Sequence, residues 1–279
     1  MSITTAKETI TPQMAAEYLN HNVKNRRIRK DAVAMIARDI QAGRFRTTHQ
    51  GIAFYEDGAL ADGQHRLTAI MKAGVPVEIM VTRGLKRDAM SAIDRGTTRN
   101  VADIFAIENN SEDGVSKAIR NTRVVSAISQ MCRNGVTPRV KLSASEIEAI
   151  FKHNTSECVW IYKIVGTKGG RNSSAINGAC LAAMICGVDP TEIVKFMNVY
   201  RMYDVTGCDG RNTQAALSLR RAVDEALIQR NRIDGKKLYL MTQNAIWNFV
   251  NNTDAHRASA PSAPRYDISD RTNKIIRGE

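Results

Sequence analysis

The sequence predicts an α+β fold, with a small mixed domain at the N-terminus followed by an all-helical domain. Between residues 51 and 82, short apolar segments alternate with polar residues and are separated by turn-forming glycine and proline, which is typical of strands. Beyond residue 114, apolar residues recur only at helical spacing. The polar segment 108–114, Glu-Asn-Asn-Ser-Glu-Asp-Gly, separates the two patterns and predicts a domain boundary near residue 110.

In the N-terminal domain, local signals predict each element in turn. Thr11 followed by Pro12 predicts the start of a first helix, because a hydroxyl can cap it and proline suits the first helical position. Apolar residues on one face predict a second helix over 31–42. Asp57-Gly58 predicts a tight turn between strands at 51–55 and 59–61. The remaining elements are a helix from residue 65 to Gly74, a strand over 77–82, and helices over 86–93 and 101–107.

In the C-terminal part, the helical period predicts six helices, and a capping box at Ser143-x-x-Glu146 predicts where one of them begins. Two prolines within Ser-Ala-Pro-Ser-Ala-Pro predict a flexible basic tail. The expected division is therefore 1–110, 111–253 and 254–279. The six helices are expected over 115–134, 144–165, 175–187, 190–203, 212–231 and 236–251.

Charge indicates the class of partner. The chain has 40 Lys and Arg against 28 Asp and Glu, which gives a net charge of +12. This charge favours a polyanionic partner such as nucleic acid, with DNA as the first candidate. A basic protein with no polyanionic partner is the alternative. The most apolar stretch, 175–188, is too short to span a bilayer, so no membrane partner is expected. Five cysteines without a C-x-x-C pair, and an N-terminus without an apolar run, predict a cytoplasmic protein.

The stretch 57–69, DGALADGQHRLTA, places polar groups where a strand changes into a helix. A helix N-terminus attracts anions, Gly63 lets a ligand approach the backbone, and the Arg66 guanidinium can bind phosphate oxygens. His65 can donate to a phosphate or transfer a proton. Asp62 suits an anion site only if it holds a divalent cation or activates water. The alternative is a plain capped helix, with Asp62 as its N-cap.

Gly63-Gln-His-Arg-Leu-Thr-Ala69 resembles the phosphate-binding motif of the ParB/sulfiredoxin-like superfamily. Residues 25–29, 43–45 and 94–99 resemble phage and plasmid members with a helical C-terminal half. The resemblance covers residues 10–107 and implies a ParB/sulfiredoxin-like N-terminal domain that binds the phosphates of a nucleoside triphosphate or of nucleic acid. The divalent cation on Asp62, expected from the chemistry of the turn, would then be Mg²⁺. Gln64 stands where sulfiredoxins have cysteine, which excludes their chemistry. The loop 94–99, with its glycine and two arginines, is predicted to complete the site, and the alternative is that Thr98 or Asn100 only caps the next helix. The predicted phosphate-binding residues are Arg29, Gly63, Gln64, Arg66, Asp94, Arg95, Gly96 and Arg99.

Two basic segments are predicted to contact nucleic-acid phosphates. Residues 24–30 contain five cations in seven positions, and 166–174 form a glycine-rich basic loop that is not a Walker A motif. A solvated charged face and an ordinary interhelical loop are the alternatives. The residues predicted to make these contacts are Lys24, Arg26, Arg27, Lys30, Lys168 and Arg171.

The sequence therefore predicts a nucleotide-dependent nucleic-acid-binding protein. The alternative is a Mg²⁺-dependent enzyme of the same fold, in which Asp62 and His65 are catalytic. Such an enzyme would be a nucleoside triphosphate hydrolase, a nuclease, or a kinase of a small molecule or modified base. A third hypothesis is that the chain is a non-catalytic DNA-binding or scaffold protein. Self-association of the helical domain into a homodimer is left open.

Overall fold

The computed structural model describes residues 2–23, 25, 27–88, 101–108, 111–136, 141–166, 173–208, 213–253 and 255–279. The chain is a mixed α+β protein that divides into two compact units. Unit 1 comprises Met1–Thr98 and Ile276–Glu279, and unit 2 comprises Arg99–Ile275. The division falls near residue 98 rather than 110, so the helix at Val101–Glu108 belongs to unit 2.

Unit 1 contains a four-stranded sheet and three helices. The strands are β1 (Thr4–Ile10), β2 (Ile52–Tyr55), β3 (Leu60–Asp62) and β4 (Val77–Leu85), and the helices are α1 (Pro12–Asn20), α2 (Lys30–Gln41) and α3 (Gln64–Ala73). The order in the sheet is β1-β4-β2-β3. β1 is antiparallel to β4, β2 is antiparallel to β3, and β2 runs parallel to β4.

The predicted helix start at Thr11 is confirmed, because the Thr11 hydroxyl accepts the Met14 backbone N–H at 3.2 Å. α2 buries the apolar face that the sequence predicts, including Val33 and Ile40. These side chains join a core in which Leu67 of α3 and Ile79 of β4 are fully buried. The same core holds α3 in position directly after β3.

Sequence reasoning missed β1. Its sequence, TTAKETI, lacks the apolar alternation that marks a strand. In the structure most of these residues are exposed, and the strand is buried only toward its end, at Ile10. β1 nevertheless pairs with β4 along its whole length, from Thr4 opposite Arg83 to Ile10 opposite Val77. Cross-strand contacts stabilise this edge strand where its own sequence pattern does not predict it.

Helices are the only regular secondary structure among the described residues of unit 2, and two predicted helices are each divided in two. The Asn121 side chain accepts the Arg123 N–H at 3.0 Å and starts a new helix there. A second break falls at Asn154. The capping box at Ser143 and Glu146 is confirmed. The helices are α4 (Val101–Glu108), α5 (Gly114–Ile119), α6 (Thr122–Gly135), α7 (Ala144–His153), α8 (Thr155–Gly166), α9 (Ser174–Ile185), α10 (Pro190–Met202), α11 (Gln214–Ile228), α12 (Gly235–Val250) and α13 (Ser269–Arg277). The last residues of α13, from Ile276 on, are assigned to unit 1.

The expectation of a flexible tail over 254–279 is wrong. Tyr266 and Ile268 are buried, and α13 follows them. The buried Gln243 side chain donates to the Tyr266 carbonyl and accepts from the Tyr266 N–H, both at 3.2 Å. Tail residues with apolar side chains therefore contribute to the core, which the two prolines of this segment obscured in the sequence. None of the helices in the described ranges combines the length and apolar character that crossing a bilayer requires.

Candidate functional site

The turn between β3 and α3 depends on a glycine. Gly63 has φ 108° and ψ 0°, a conformation that side-chain-bearing residues rarely adopt. A Cβ at this position would lie 3.1 Å from the Ile52 Cα, so the turn packs closely against β2. α3 begins with Gly63 as its N-cap and without a side-chain cap, so the alternative in which Asp62 caps the helix is wrong.

A cavity of about 240 Å³ opens between the start of α2 and this turn. It brings together five of the predicted site residues, which lie far apart in the sequence on either side of β2. Ala32 and Ile36 add an apolar wall that sequence reasoning missed, although their spacing of one helical turn on α2 was the available signal. The predicted residues that line the cavity are Arg29, Asp62, Gly63, His65 and Arg66.

The Arg66 guanidinium is held within the turn. Its Nη1 donates to the Gly51 carbonyl at 3.1 Å and to Oδ2 of Asp62 at 3.4 Å, and the side chain is 25% exposed. A guanidinium carries five N–H donors, so Nε and Nη2 remain to donate to a ligand. The bonds to Gly51 and Asp62 fix the orientation of Arg66 before any ligand arrives.

Asp62 is paired with Arg66, which offsets its negative charge at the edge of the cavity. Among the described residues, no group of three or more Asp, Glu, His and Cys side chains lies close enough to hold a metal ion. Asp62 is the one carboxylate among the described residues that line the cavity. A Mg²⁺ ion that takes one protein carboxylate and completes its shell with phosphate oxygens and water would be compatible with this lining.

His65 ties the start of α3 to the segment before α2. Its Nε2 accepts the backbone N–H of Arg29 at 3.0 Å, which assigns the Nδ1–H tautomer to the neutral ring. This contact places Arg29 at the cavity, where its guanidinium pairs with Asp31 at 3.3 Å on the exposed side.

The side chain of Gln64 lies away from the cavity, although its backbone forms the first residue of α3. This side chain is only 4% exposed and accepts a hydrogen bond from the Asn22 amide at 3.2 Å. Asn25 in turn donates to the Asn22 side chain at 2.7 Å and to the Leu60 carbonyl at 2.9 Å. The Gln64 side chain therefore holds the segment after α1 together with Asn25 and with Asn22, which no sequence motif indicated.

Comparison with protein-family models, with curated proteins and with solved structures finds no match for this chain. The interpretation of the pocket therefore depends on its own geometry.

Several predicted site residues lie outside the described part of the chain. Of the predicted nucleic-acid contacts, Arg27 and Lys30 are described and both are exposed, on either side of Arg29. The predicted residues outside the described ranges are Asp94, Arg95, Gly96, Arg99, Lys24, Arg26, Lys168 and Arg171.

Proposed function

We propose that this chain is a nucleotide-dependent nucleic-acid-binding protein of the ParB/sulfiredoxin-like type, and that it binds a nucleoside triphosphate through the phosphates at the β3–α3 turn. One observation carries the proposal: Arg29, Arg66 and the start of α3, which has no side-chain cap, line a single small cavity. Backbone N–H groups at a helix start and guanidinium groups are the donors that phosphates prefer.

The cavity suits phosphates rather than a whole nucleotide. Its volume of about 240 Å³ is below the ~300–1,000 Å³ of clefts that enclose a drug-sized ligand. We therefore place the phosphates against Gly63 and the base and sugar outside the cavity. The apolar wall of Ala32 and Ile36 excludes water on one side, which strengthens the attraction between phosphate and guanidinium.

The residues around the cavity then act as follows. Arg66, already oriented by Gly51 and Asp62, donates Nε and Nη2 to a phosphate without losing further side-chain freedom. Mg²⁺, when bound, supplies charge neutralisation for the phosphates, and Asp62 is the residue that would hold it.

Nucleotide dependence follows from the link between His65 and Arg29. A phosphate bound by the Arg29 guanidinium restrains the segment that contains Arg27 and Lys30, which are exposed and available to a nucleic-acid backbone. Binding of the nucleotide thus restrains cations that contact the second ligand, which is positive coupling between the two.

Two contacts favour binding over catalysis at this turn. Nε2 of His65 already accepts the Arg29 N–H, and the Asp62 carboxylate is paired with Arg66. His65 would lose this hydrogen bond on taking up a proton at Nε2, and the ion pair holds Asp62 in position beside Arg66, so both contacts support a positioning role.

The test measures binding of a fluorescent nucleoside triphosphate to the full chain, with and without Mg²⁺. Loss of one charged hydrogen-bond donor costs about 1.5–3 kcal/mol, so Arg29→Gln is expected to weaken binding by roughly ten- to a hundredfold. Arg46→Gln is the matched control, because Arg46 is exposed in the same unit and does not line the cavity. Its affinity is expected to stay within about twofold of the unaltered chain.

Three results would count against this proposal. The first would be that the unaltered chain binds no triphosphate with or without Mg²⁺. The second would be that the Arg29→Gln and Arg46→Gln variants bind the triphosphate equally well. The third is steady release of phosphate that His65→Ala abolishes while nucleotide binding persists, which would establish the enzymatic alternative.

A further inference from the structure

Unit 2 contains a much larger groove of about 1050 Å³. Its walls are the C-terminal end of α6, the first residues of α9, the second half of α11 with the loop that follows, and the start of α12. Its lining includes four cations, all exposed to solvent: Arg133, Arg230, Arg232 and Lys236.

Among the described residues, the positive charge of this groove is not balanced by acidic side chains. Within the part of the chain that the structure describes, none of the four cations makes an ion pair. Asp234 is the one acidic side chain of the described lining, and its Oδ1 accepts the backbone N–H groups of Lys236 at 2.9 Å and Lys237 at 3.1 Å as the N-cap of α12. The groove therefore attracts an anion.

The floor of the groove is apolar. Val223, Ala226 and Leu227 line it from α11, and Leu227 is 54% exposed although it is a large hydrophobic residue. Carboxamide groups of Asn134 and Asn231 lie beside this floor. A fitting ligand thus carries several negative charges and also presents apolar surface and hydrogen-bonding edges between them.

We propose that this groove binds a single strand of nucleic acid, with phosphates on the four cations and sugar and base faces on the α11 floor. In a duplex the base faces are stacked inside the helix and cannot reach a concave apolar floor, whereas a single strand exposes them. Arginine, which provides three of the four cations, matches phosphate oxygens with paired donors. The preference for nucleic acid over an acidic peptide rests on the proposed function.

Among the described lining residues none is aromatic. The stacking platforms that usually hold bases are therefore replaced by aliphatic side chains and guanidinium planes. Affinity then depends mainly on phosphate contacts, so we expect binding that tolerates any base sequence and weakens steeply with salt.

The test titrates the full chain with a fluorescein-labelled 12-nucleotide oligo-dT and follows fluorescence anisotropy over a series of salt concentrations. Four phosphate contacts predict a log–log slope of about −3. The double variant Arg230→Gln/Arg232→Gln is expected to weaken binding by about tenfold or more and to make the slope shallower by about 1.4.

The matched control is Arg221→Gln/Arg257→Gln, which removes the same charge from exposed positions of unit 2 outside the groove lining. It is expected to change oligo-dT affinity by no more than about twofold. Equal loss in both double variants would overturn the proposal, because bulk charge would then explain binding. The proposal would also be overturned if a 12-base-pair duplex bound more tightly than oligo-dT. It would likewise be overturned if a poly-glutamate peptide bound in place of the oligonucleotide.

The same samples separate this inference from the proposed function. Fluorescent triphosphate binding is measured in parallel, and the groove variants are expected to retain it. Absence of oligo-dT binding in a chain that binds nucleotide would refute the groove alone. Absence of nucleotide binding in a chain that binds oligo-dT through the groove would refute the nucleotide site alone.

Discussion

At the scale of single residues, Gly63 decides whether the candidate site forms. Its φ of 108° and its 3.1 Å approach to Ile52 are two separate constraints, one on the backbone and one on packing. Gly58, in the preceding hairpin turn, has a φ of 81°, but a Cβ added there would meet nothing within 4 Å, so it carries the first constraint without the second. The two glycines therefore separate backbone strain from steric crowding.

Gly63→Ala is expected to lower the free energy of unfolding by more than Gly58→Ala does. A positive φ costs a residue with a side chain about 1–3 kcal/mol, and Gly63→Ala adds the clash with Ile52. Urea unfolding of both variants measures the difference. Nucleotide binding is expected to survive Gly58→Ala and to weaken in Gly63→Ala, because the start of α3 must move. Equal unfolding free energies for the two variants would contradict this account.

At the scale of elements, the edge strand β1 is stabilised by side-chain contacts that its sequence pattern does not predict. The Arg83 guanidinium of β4 binds both carboxylate oxygens of Glu8 and donates to the Tyr18 hydroxyl at 3.0 Å. The guanidinium carbon Cζ of Arg83 lies 5.6 Å from the centre of the Phe54 ring. This cluster joins β1, α1, β2 and β4, and the hydrogen bond from Arg83 lowers the pKa of Glu8 below its usual 4.5.

The contribution of Glu8 to stability therefore depends on pH. Because its folded-state pKa is lowered, the ion pair stabilises the fold above about pH 4.5 and is lost as pH falls through the folded pKa. Glu8→Gln is expected to cost about 1 kcal/mol at pH 7, since both side chains are partly exposed, at 25% and 43%.

Urea unfolding from pH 7 down to pH 3 measures this effect, and the difference between Glu8→Gln and the unaltered chain is expected to shrink toward zero at the acid end. Glu78→Gln is the control on the neighbouring strand, because its pair with Lys7 is more than half exposed on both sides and is expected to contribute little. A cost of Glu8→Gln that stays constant across this range would contradict the assignment.

At the scale of the whole molecule, all five cysteines lie in unit 2 and report on its core. Burial raises the pKa of Cys180 to about 12 and raises the pKa of Cys132 and Cys158 as well. Cys208 is also buried, while Cys186 is exposed and its Sγ lies 3.7 Å from the Asp267 carbonyl. Partial burial of that thiol raises its pKa too.

A thiol-reactive disulfide reagent is expected to modify one cysteine per folded chain at pH 8 and all five in denaturant. Thiolate is the reactive form, so the single reaction of the folded chain is expected to be slow and to accelerate with rising pH. Cys186→Ser is expected to abolish it, whereas Cys180→Ser is expected to leave it unchanged. Rapid modification of two or more thiols in the folded chain would show that the core of unit 2 is more open than the structure indicates.

The features that the sequence predicted by itself are those set by short-range interactions. The helix start at Thr11, the capping box at Ser143, the turn at Asp57-Gly58 and the helical period of unit 2 depend on groups within a few residues of one another. The same holds for the DGQHR turn, because Gly63 permits the turn, and the backbone N–H groups and Arg66 then place donors at the start of α3. These local signals were enough to identify most elements and the cavity residues around Gly63.

Other features were decided only by the tertiary structure, because they depend on which distant groups become neighbours. β1 forms because it pairs with β4. The side chain of Gln64 is held by a hydrogen bond from Asn22, which lies 42 positions earlier in the sequence. The tail becomes part of the core because Gln243 binds the backbone of Tyr266. The groove of unit 2 likewise exists only where four helix ends converge, since no local pattern encodes the space left between packed helices.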